Sequence, residues 1–413
     1  MHVAQFIHRY PPAIGGAESY VHRLTGFLQE HGHDVTVWTT TAKHITDFRT
    51  PKNHTFDDPP HIRRFAPIGF PLRRYVLKAL SFWPNKPWQL LTMPSSPTCP
   101  AMWREVQHYD GPLDAVHAVA FPYGFPLACA WALAKRRKVP LLLTPFLHWG
   151  DPTNPKDITR RQYTQPPLRW MLNQADHVFV QTQAEWDLAN QLGVSDSRLT
   201  LQGLGVDPAE CTGGDRAKAR AEWGVTDDTL VVGHLANLSM EKGSGDLFVA
   251  VEHLPRSHLV FAGSAMPNFG LLFTKCHDHH GITLLGELSA ELKRDFYAGI
   301  DVFSLPSMTD SYGLVLLEAW ANGKPVVCYR AGGPGELVHD GVDGLLVPPG
   351  DIDQLALALH CTTPAMGEAG RVRVLNEHRW PDKLQKVLDV MTSLACGGRK
   401  PTGSDRSQQE PAG

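Results

Sequence analysis

The feature that most limits this 413-residue chain is a repeated alternation of short apolar runs with stretches of helical periodicity. In a first series the runs fall at residues 3–8, 34–38, 115–119, 141–144, 177–181 and 198–201. In a second they fall at 230–235, 258–261, 282–285, 302–305 and 325–329. The opening shows the logic. Residues 3–8 are too short a run for a helix, and Pro11-Pro12-Ala13-Ile14-Gly15-Gly16 is a loop that no regular element tolerates. From 17 to 30, Val21, Leu24, Phe27 and Leu28 share one helical face, and Gly32 supplies a C-cap before the run 34–38. That is one βαβ unit. Two consecutive series of such units predict an α/β fold with two doubly wound, Rossmann-like domains, each on a mostly parallel sheet. Such sheets bind ligands beyond the carboxyl ends of their strands, so a cleft between the domains is the expected active site.

Gly203, Gly205 and Asp207-Pro208 mark the break between the series, giving domains 1–206 and 207–378. A helix is expected over 379–396. The segment 397–413, rich in Gly, Lys, Pro, Ser and Gln, is expected to be disordered.

A net charge of -3 argues against a dedicated nucleic-acid binder, which would carry a basic excess. No apolar run approaches the roughly 20 residues of a membrane-spanning helix. Residues 1–6 lack the charged start and apolar stretch of a signal peptide and run straight into a strand. The seven cysteines are scattered without a CxxC pair, so reduced thiols in a cytoplasmic protein are expected. Only His277, His279 and His280 cluster among the histidines. Without a second ligand set they read as a solvated helix end, and no metal site is expected.

The most informative stretch is 305–319, Leu305-Pro306-Ser307-Met308-Thr309-Asp310-Ser311-Tyr312-Gly313-Leu314-Val315-Leu316-Leu317-Glu318-Ala319. A strand ends, a polar turn follows, and a helix starts near Gly313. The free N–H groups of Gly313, Leu314 and Val315, with the positive end of the helix dipole, suit a diphosphate. Asp310 precedes that start and Glu318 lies a turn and a half beyond it. Two carboxylates there suit the hydroxyls of a sugar and a ribose better than the phosphate itself.

This segment resembles the E-x7-E region of glycosyltransferase family 4, a family of retaining enzymes. The resemblance continues through Gly323-Lys324-Pro325-Val326-Val327, Gly332-Gly333 and Asp340-Gly341-Val342-Asp343-Gly344-Leu345-Leu346-Val347. Upstream, Leu285-Gly286-Glu287-Leu288-Ser289 is similar to the turn that holds the nucleotide base through backbone groups. The resemblance implies a GT-B fold, two Rossmann-like domains facing across a cleft. It further implies that Glu318 takes the ribose hydroxyls and Asp310 the transferred sugar, although the family usually has Glu at position 310. In 235–243, Lys242 keeps the place of a diphosphate-binding lysine, while Asn237 stands where an Arg is usual and offers no bidentate fork. Gly15 and Gly16 match a glycine pair that lets backbone approach donor phosphates or acceptor. His148, after the run 141–144, matches a histidine near the transferred sugar. Asp151 is either an acceptor contact or the cap of the next turn.

The resemblance implies transfer from a UDP- or GDP-sugar to a glycan, lipid-linked or small-molecule acceptor, with no cofactor beyond the donor. A catalytically idle sugar-nucleotide-binding subunit is the alternative reading. A dinucleotide-dependent oxidoreductase lacks its G-x-G-x-x-G after the first strand, and the E-x7-E-like segment speaks for transfer over epimerisation. Acceptor choice is expected in the irregular region 40–112. There, 61–83 mixes Arg63, Arg64, Arg73, Arg74 and Lys78 with Phe70, Leu72, Tyr75, Leu77, Leu80, Phe82 and Trp83. It reads either as a surface helix in peripheral contact with an anionic inner membrane face or as a partly buried helix lining the acceptor pocket. Residues 379–394 resemble the terminal helix that crosses back onto the first domain in GT-B proteins.

Overall fold

The expected alternation folds into two open sheets. The computed structural model describes residues 1–13, 15–42, 56–119, 121–150, 156–270, 272, 274 and 279–397. Asp151, His277 and residues 398–413 therefore lie outside the described residues.

Strands β1 (His2–Phe6), β2 (Asp34–Thr40), β3 (Ile62–Phe65), β4 (Ala115–Val119), β5 (Leu141–Thr144), β6 (His177–Val180) and β7 (Leu199–Leu201) form the first sheet. Their order is β3-β2-β1-β4-β5-β6-β7, and neighbours from β3 through β6 pair in parallel. Strands β8 (Leu230–Leu235), β9 (Ser257–Ala262), β10 (Ile282–Leu284), β11 (Val302–Leu305), β12 (Val326–Tyr329) and β13 (Gly344–Val347) form the second. Its order is β10-β9-β8-β11-β12-β13, parallel throughout. The order reverses between β1 and β4 in one sheet and between β8 and β11 in the other, so each has a topological switch point.

Central strands buried on both faces must be apolar almost continuously, and they are. All of β4 and β5 is buried, as is all of β11 and β12. The helix Gly16–Glu30 lays Tyr20, Val21, Leu24, Phe27 and Leu28 inward, as its periodicity requires. In the second sheet Val232, Leu259, Phe261, Val302 and Val327 meet Leu247, Leu355 and Leu359 from the flanking helices.

Two elements depart from the sequence reading. Residues 61–83 are not one helix: β3 occupies their start and only Arg73–Leu80 is helical. β3 joins the sheet because its arginines find partners. Arg64 pairs with Asp58 at 2.6 Å, while Arg63 pairs with Glu105 and lies over Trp38, 5.2 Å from the ring centre. β13 arises inside the 340–347 run, paired to β12 from Val326↔Gly344 onward.

The chain divides into two compact units. The first comprises residues 1–144, 173–178 and, among the described residues, 385–397; the second comprises 145–172 and 179–384. Among the described residues no helix is long and apolar enough to cross a membrane.

Candidate active site

In the second sheet the loops after β8 and β11 flank the switch point, and the two residues singled out on them meet there. Lys242 follows β8 and Asp310 follows β11; Lys242 Nζ donates to Asp310 Oδ2 at 2.5 Å. Both side chains are largely buried, 24% and 18% exposed. The loops are tied through their backbones. Ser307 Oγ donates to Glu241 O at 3.2 Å, and Gly243 packs so closely on Pro306 that a Cβ would lie 2.0 Å from its carbonyl oxygen. Gly243 has φ +72°, which also favours glycine. Asp310 is oriented by its own turn: Oδ1 accepts from Tyr312 N–H at 3.2 Å, and its carbonyl accepts from Gly333 N–H at 2.7 Å. Burial alone would push the Asp310 carboxyl up; Lys242, the Tyr312 N–H and His148 outweigh it and hold the group below the usual carboxylate range.

His148, in the same unit, joins this cluster. Its Nδ1 donates to the Thr309 carbonyl at 2.5 Å, which leaves Nε2 as the acceptor nitrogen of the neutral ring. Burial first, then the charge of Lys242, pushes the imidazole below its ordinary value, against the Thr309 bond and Asp310. The loop bearing His148 is fixed by Glu185, which sequence spacing did not single out. Glu185 Oε1 accepts from Leu147 N–H and Oε2 from Gln181 N–H, each at 2.6 Å. The carboxyl group thereby ties together the segments that follow β5 and β6. Its full burial drives its pKa up to about 8 despite those two bonds.

Glu318 sits on the helix Leu314–Ala321, whose N-cap is Gly313 and whose first turn has no side-chain cap. Its oxygens hold Lys293 Nζ at 2.7 Å and Tyr297 Oη at 2.9 Å. One lone pair on each oxygen remains for a ligand hydroxyl. Lys293 and Tyr297 lie four residues apart on the helix Ala290–Gly299, and sequence reading passed over both. Their partner is distant in sequence, so spacing carried no signal.

The turn after β10 is joined to its neighbour by Gly263 N–H donating to Gly286 O at 2.7 Å. Gly263 itself packs on Ala236, whose carbonyl oxygen would lie 1.9 Å from a Cβ. Gly286 and Glu287 are exposed, Leu288 is half-buried, and the Glu287 side chain accepts from Ser264 Oγ. Asn237 is exposed at the end of β8. The structure thus brings Lys242, Asp310 and His148 together, and gives Glu318 a separate pair of partners. Gly15 and Gly16 begin the first helix of the other unit, beyond β1. There the Glu18 carboxylate lies under Gly15 and pairs with Arg9 at 2.7 Å. Among the described residues no group of three or more His, Cys, Asp or Glu is placed to hold a metal ion.

Sequence profiles agree with this architecture on both sheets. The profile described as "Glycosyl transferases group 1" matches residues 215–360, and that described as "Glycosyl transferase 4-like domain" matches residues 15–205. The chain is a family 4 glycosyltransferase. Among relatives of this glycosyltransferase is the D-inositol 3-phosphate glycosyltransferase of Mycobacterium sp. (strain KMS), 29% identical over 355 residues, which cover 83% of this chain and 76% of that one. The sucrose-phosphate synthase of Thermosynechococcus elongatus superposes with a TM-score of 0.73 at 21% identity, covering 96% of this chain and 99% of the other. Anabaena Alr3699/HepE, solved with UDP and glucose, gives 0.70 at 20% identity, covering 95% and 99%. These likenesses establish the GT-B fold of this glycosyltransferase.

Proposed function

We propose that this glycosyltransferase takes its sugar from a UDP- or GDP-sugar and transfers it, with retention at the anomeric carbon, to a glycan, lipid-linked or small-molecule acceptor. The observation that carries the reading is the Lys242–Asp310 pair at the switch point of the second sheet, 2.5 Å between charged atoms. A donor entering there gives both groups work. The diphosphate shares the Lys242 ammonium and meets the N–H groups of Gly313, Leu314 and Val315 at the helix start. Asp310, relieved of part of its ion pair, accepts from hydroxyls of the transferred sugar. Glu318 takes the ribose, and the backbone of Gly286, Glu287 and Leu288 takes the base. Gly15 and Gly16 would let backbone approach the donor phosphates or acceptor, and Asn237 stands in the donor loop without a charge to offer.

Bond breaking leaves negative charge on the diphosphate, and prearranged N–H dipoles and a lysine stabilise it without reorganisation. We take the departing phosphate to accept the proton of the incoming hydroxyl on the same face, so no metal and no second carboxylate are needed. His148, neutral and hydrogen-bonded through Nδ1, presents Nε2 as an acceptor near the sugar. The buried Cys99, Cys129, Cys211 and Cys328 are free thiols, which supports a cytoplasmic protein; with a lipid-linked acceptor the chain would work at the inner membrane face. Asn237 and Asp310, in place of the usual Arg and Glu, favour one other reading, a catalytically idle sugar-nucleotide binder.

The test is a thermal-shift panel with UDP, GDP, ADP, NAD and the common sugar conjugates. A ligand at about a hundred times its dissociation constant adds roughly 2.7 kcal/mol of stability. A shift with one nucleoside diphosphate that Glu318→Ala abolishes supports the donor site and names its base. No shift with any nucleotide rejects it, and donor binding without turnover on any acceptor leaves the idle binder.

A further inference from the structure

Nine of the nineteen exposed large hydrophobic side chains among the described residues lie between positions 68 and 88, a concentration that ordinary surface scatter does not produce. They sit on a built element. The helix Arg73–Leu80 leads through a turn into the helix Lys86–Leu91, and Asn85 caps the second helix by accepting from Trp88 N–H at 3.0 Å. Trp88 Nε1 donates to Leu80 O at 2.9 Å and Gln89 Nε2 to Ser81 O at 3.1 Å, closing the hairpin. Leu77 is buried, and Arg73 donates to Ser96 O and to Thr98 Oγ1, so the hairpin is anchored from beneath.

Its outer side is apolar with a basic rim. Leu72, Tyr75, Val76 and Leu80 share one stripe at helical spacing, and Arg74 and Lys78, one turn apart and both exposed, run beside it. At the tip Phe82 is 78% exposed and Trp83 is 68% exposed. A groove of about 750 Å³ opens beside them, lined by Ala79, Leu80, Phe82, Trp83, Pro84, Asn85 and Trp88. The charge of the whole region is one-sided. From 59 to 104 there is no Asp or Glu; Arg63 and Arg64 are paired with Glu105 and Asp58 just outside that stretch, and Arg73, Arg74, Lys78, Lys86 and Arg104 add their charge to it, in a chain whose overall charge is -3.

We infer that the 68–88 hairpin is a docking surface for an anionic lipid bilayer, with Phe82 and Trp83 entering the interface and Arg74 and Lys78 meeting the headgroups. Aromatic and aliphatic groups with a cationic rim are what such an interface binds, and the lack of Asp and Glu within the hairpin itself keeps repulsion by the headgroups low. An apolar protein partner would not require that one-sided charge. The inference does not rest on which nucleotide the chain uses.

The test is flotation of the full chain with phosphatidylcholine vesicles, with and without phosphatidylglycerol. Binding should require phosphatidylglycerol and weaken as salt is raised. Arg74→Glu with Lys78→Glu should lower the partition coefficient about fivefold or more for each charge. Phe82→Ser with Trp83→Ser should lower it at least about tenfold. All four positions are exposed, so near-ultraviolet circular dichroism should be unchanged and turnover of a water-soluble acceptor retained. The inference is overturned if the chain fails to float with phosphatidylglycerol at low salt, or if both pairs of variants float like the parent. It is equally overturned if Phe82→Ser with Trp83→Ser abolishes a sedimentation dimer in a chain that ignores vesicles, or destroys soluble-acceptor turnover while vesicle binding persists.

Discussion

Replacing Lys242 with methionine removes the ammonium and keeps most of the stem, so the packing of the loop after β8 should survive. Two consequences follow from the geometry. The first is a rate loss. Lys242 is the cation poised at the switch point, 24% exposed, and Asn237 supplies no charge beside it. Removing a prearranged electrostatic donor of this kind costs about 10²–10³ in turnover, or ~2.7–4 kcal/mol. The second concerns protons. Burial pushes the Asp310 carboxyl up, and Lys242 leads the groups that hold it down. Without Lys242, burial acts against only the Tyr312 N–H and His148, so the carboxyl is protonated to a higher pH. An activity that needs the Asp310 carboxylate is then lost earlier as pH falls, and the acid limb of kcat/KM moves upward. The assay is kcat/KM against pH for the parent, Lys242→Met, Asp310→Asn and the double variant. The cycle should show a coupling of about 1.5–3 kcal/mol, the range for a hydrogen bond to a charged group. An acid limb unmoved in Lys242→Met, or additive losses in the double variant, would refute the assignment of the pair to one site.

Glu318→Gln should weaken nucleoside diphosphate binding by about tenfold, roughly 1.4 kcal/mol, in calorimetry; an unchanged Kd would remove Glu318 from the donor site. His148 is held below the ordinary imidazole value by burial and by Lys242. Its contribution to stability is therefore present above the unfolded value of about 6.5 and declines as pH falls below it; a histidine NMR titration with its midpoint below that of a free imidazole is expected, and a midpoint at or above about 6.5 would contradict the burial argument. Gly243→Ala should cost more than about 2 kcal/mol, from a left-handed backbone worth about 1–2 kcal/mol plus displacement of Pro306. The midpoint of urea unfolding measures it, and an unmoved midpoint would show that the loop yields freely.

Where apolar periodicity was strong the fold could be read with little error. β4, β5, β8 and β11 occupy the expected residues, because strands buried on both faces leave little room for another pattern. β3 escaped because Arg63 and Arg64 look like surface charges until Glu105, Trp38 and Asp58 are seen around them. The turn bearing Asp310 and the helix start at Gly313 lie where the local pattern put them, whereas the loop bearing Lys242 was singled out by its resemblance to the family. Their assembly was not legible. That Lys242 Nζ reaches Asp310, that His148 donates to Thr309, and that Lys293 and Tyr297 hold Glu318 depend on strand order, which no local pattern encodes.

The close packing at Gly243 and Gly263 bears on how such a chain can diversify. At both positions the main chain of one loop rests against a carbonyl of another, with no room for a side chain. Each loop therefore serves as the mould for its neighbour, and a shift in one would be transmitted to the next. Change in substrate preference by small steps is then confined to side chains that project from this shared frame, such as Asn237 and Glu287. Insertions or altered loop lengths would have to arise elsewhere in the chain.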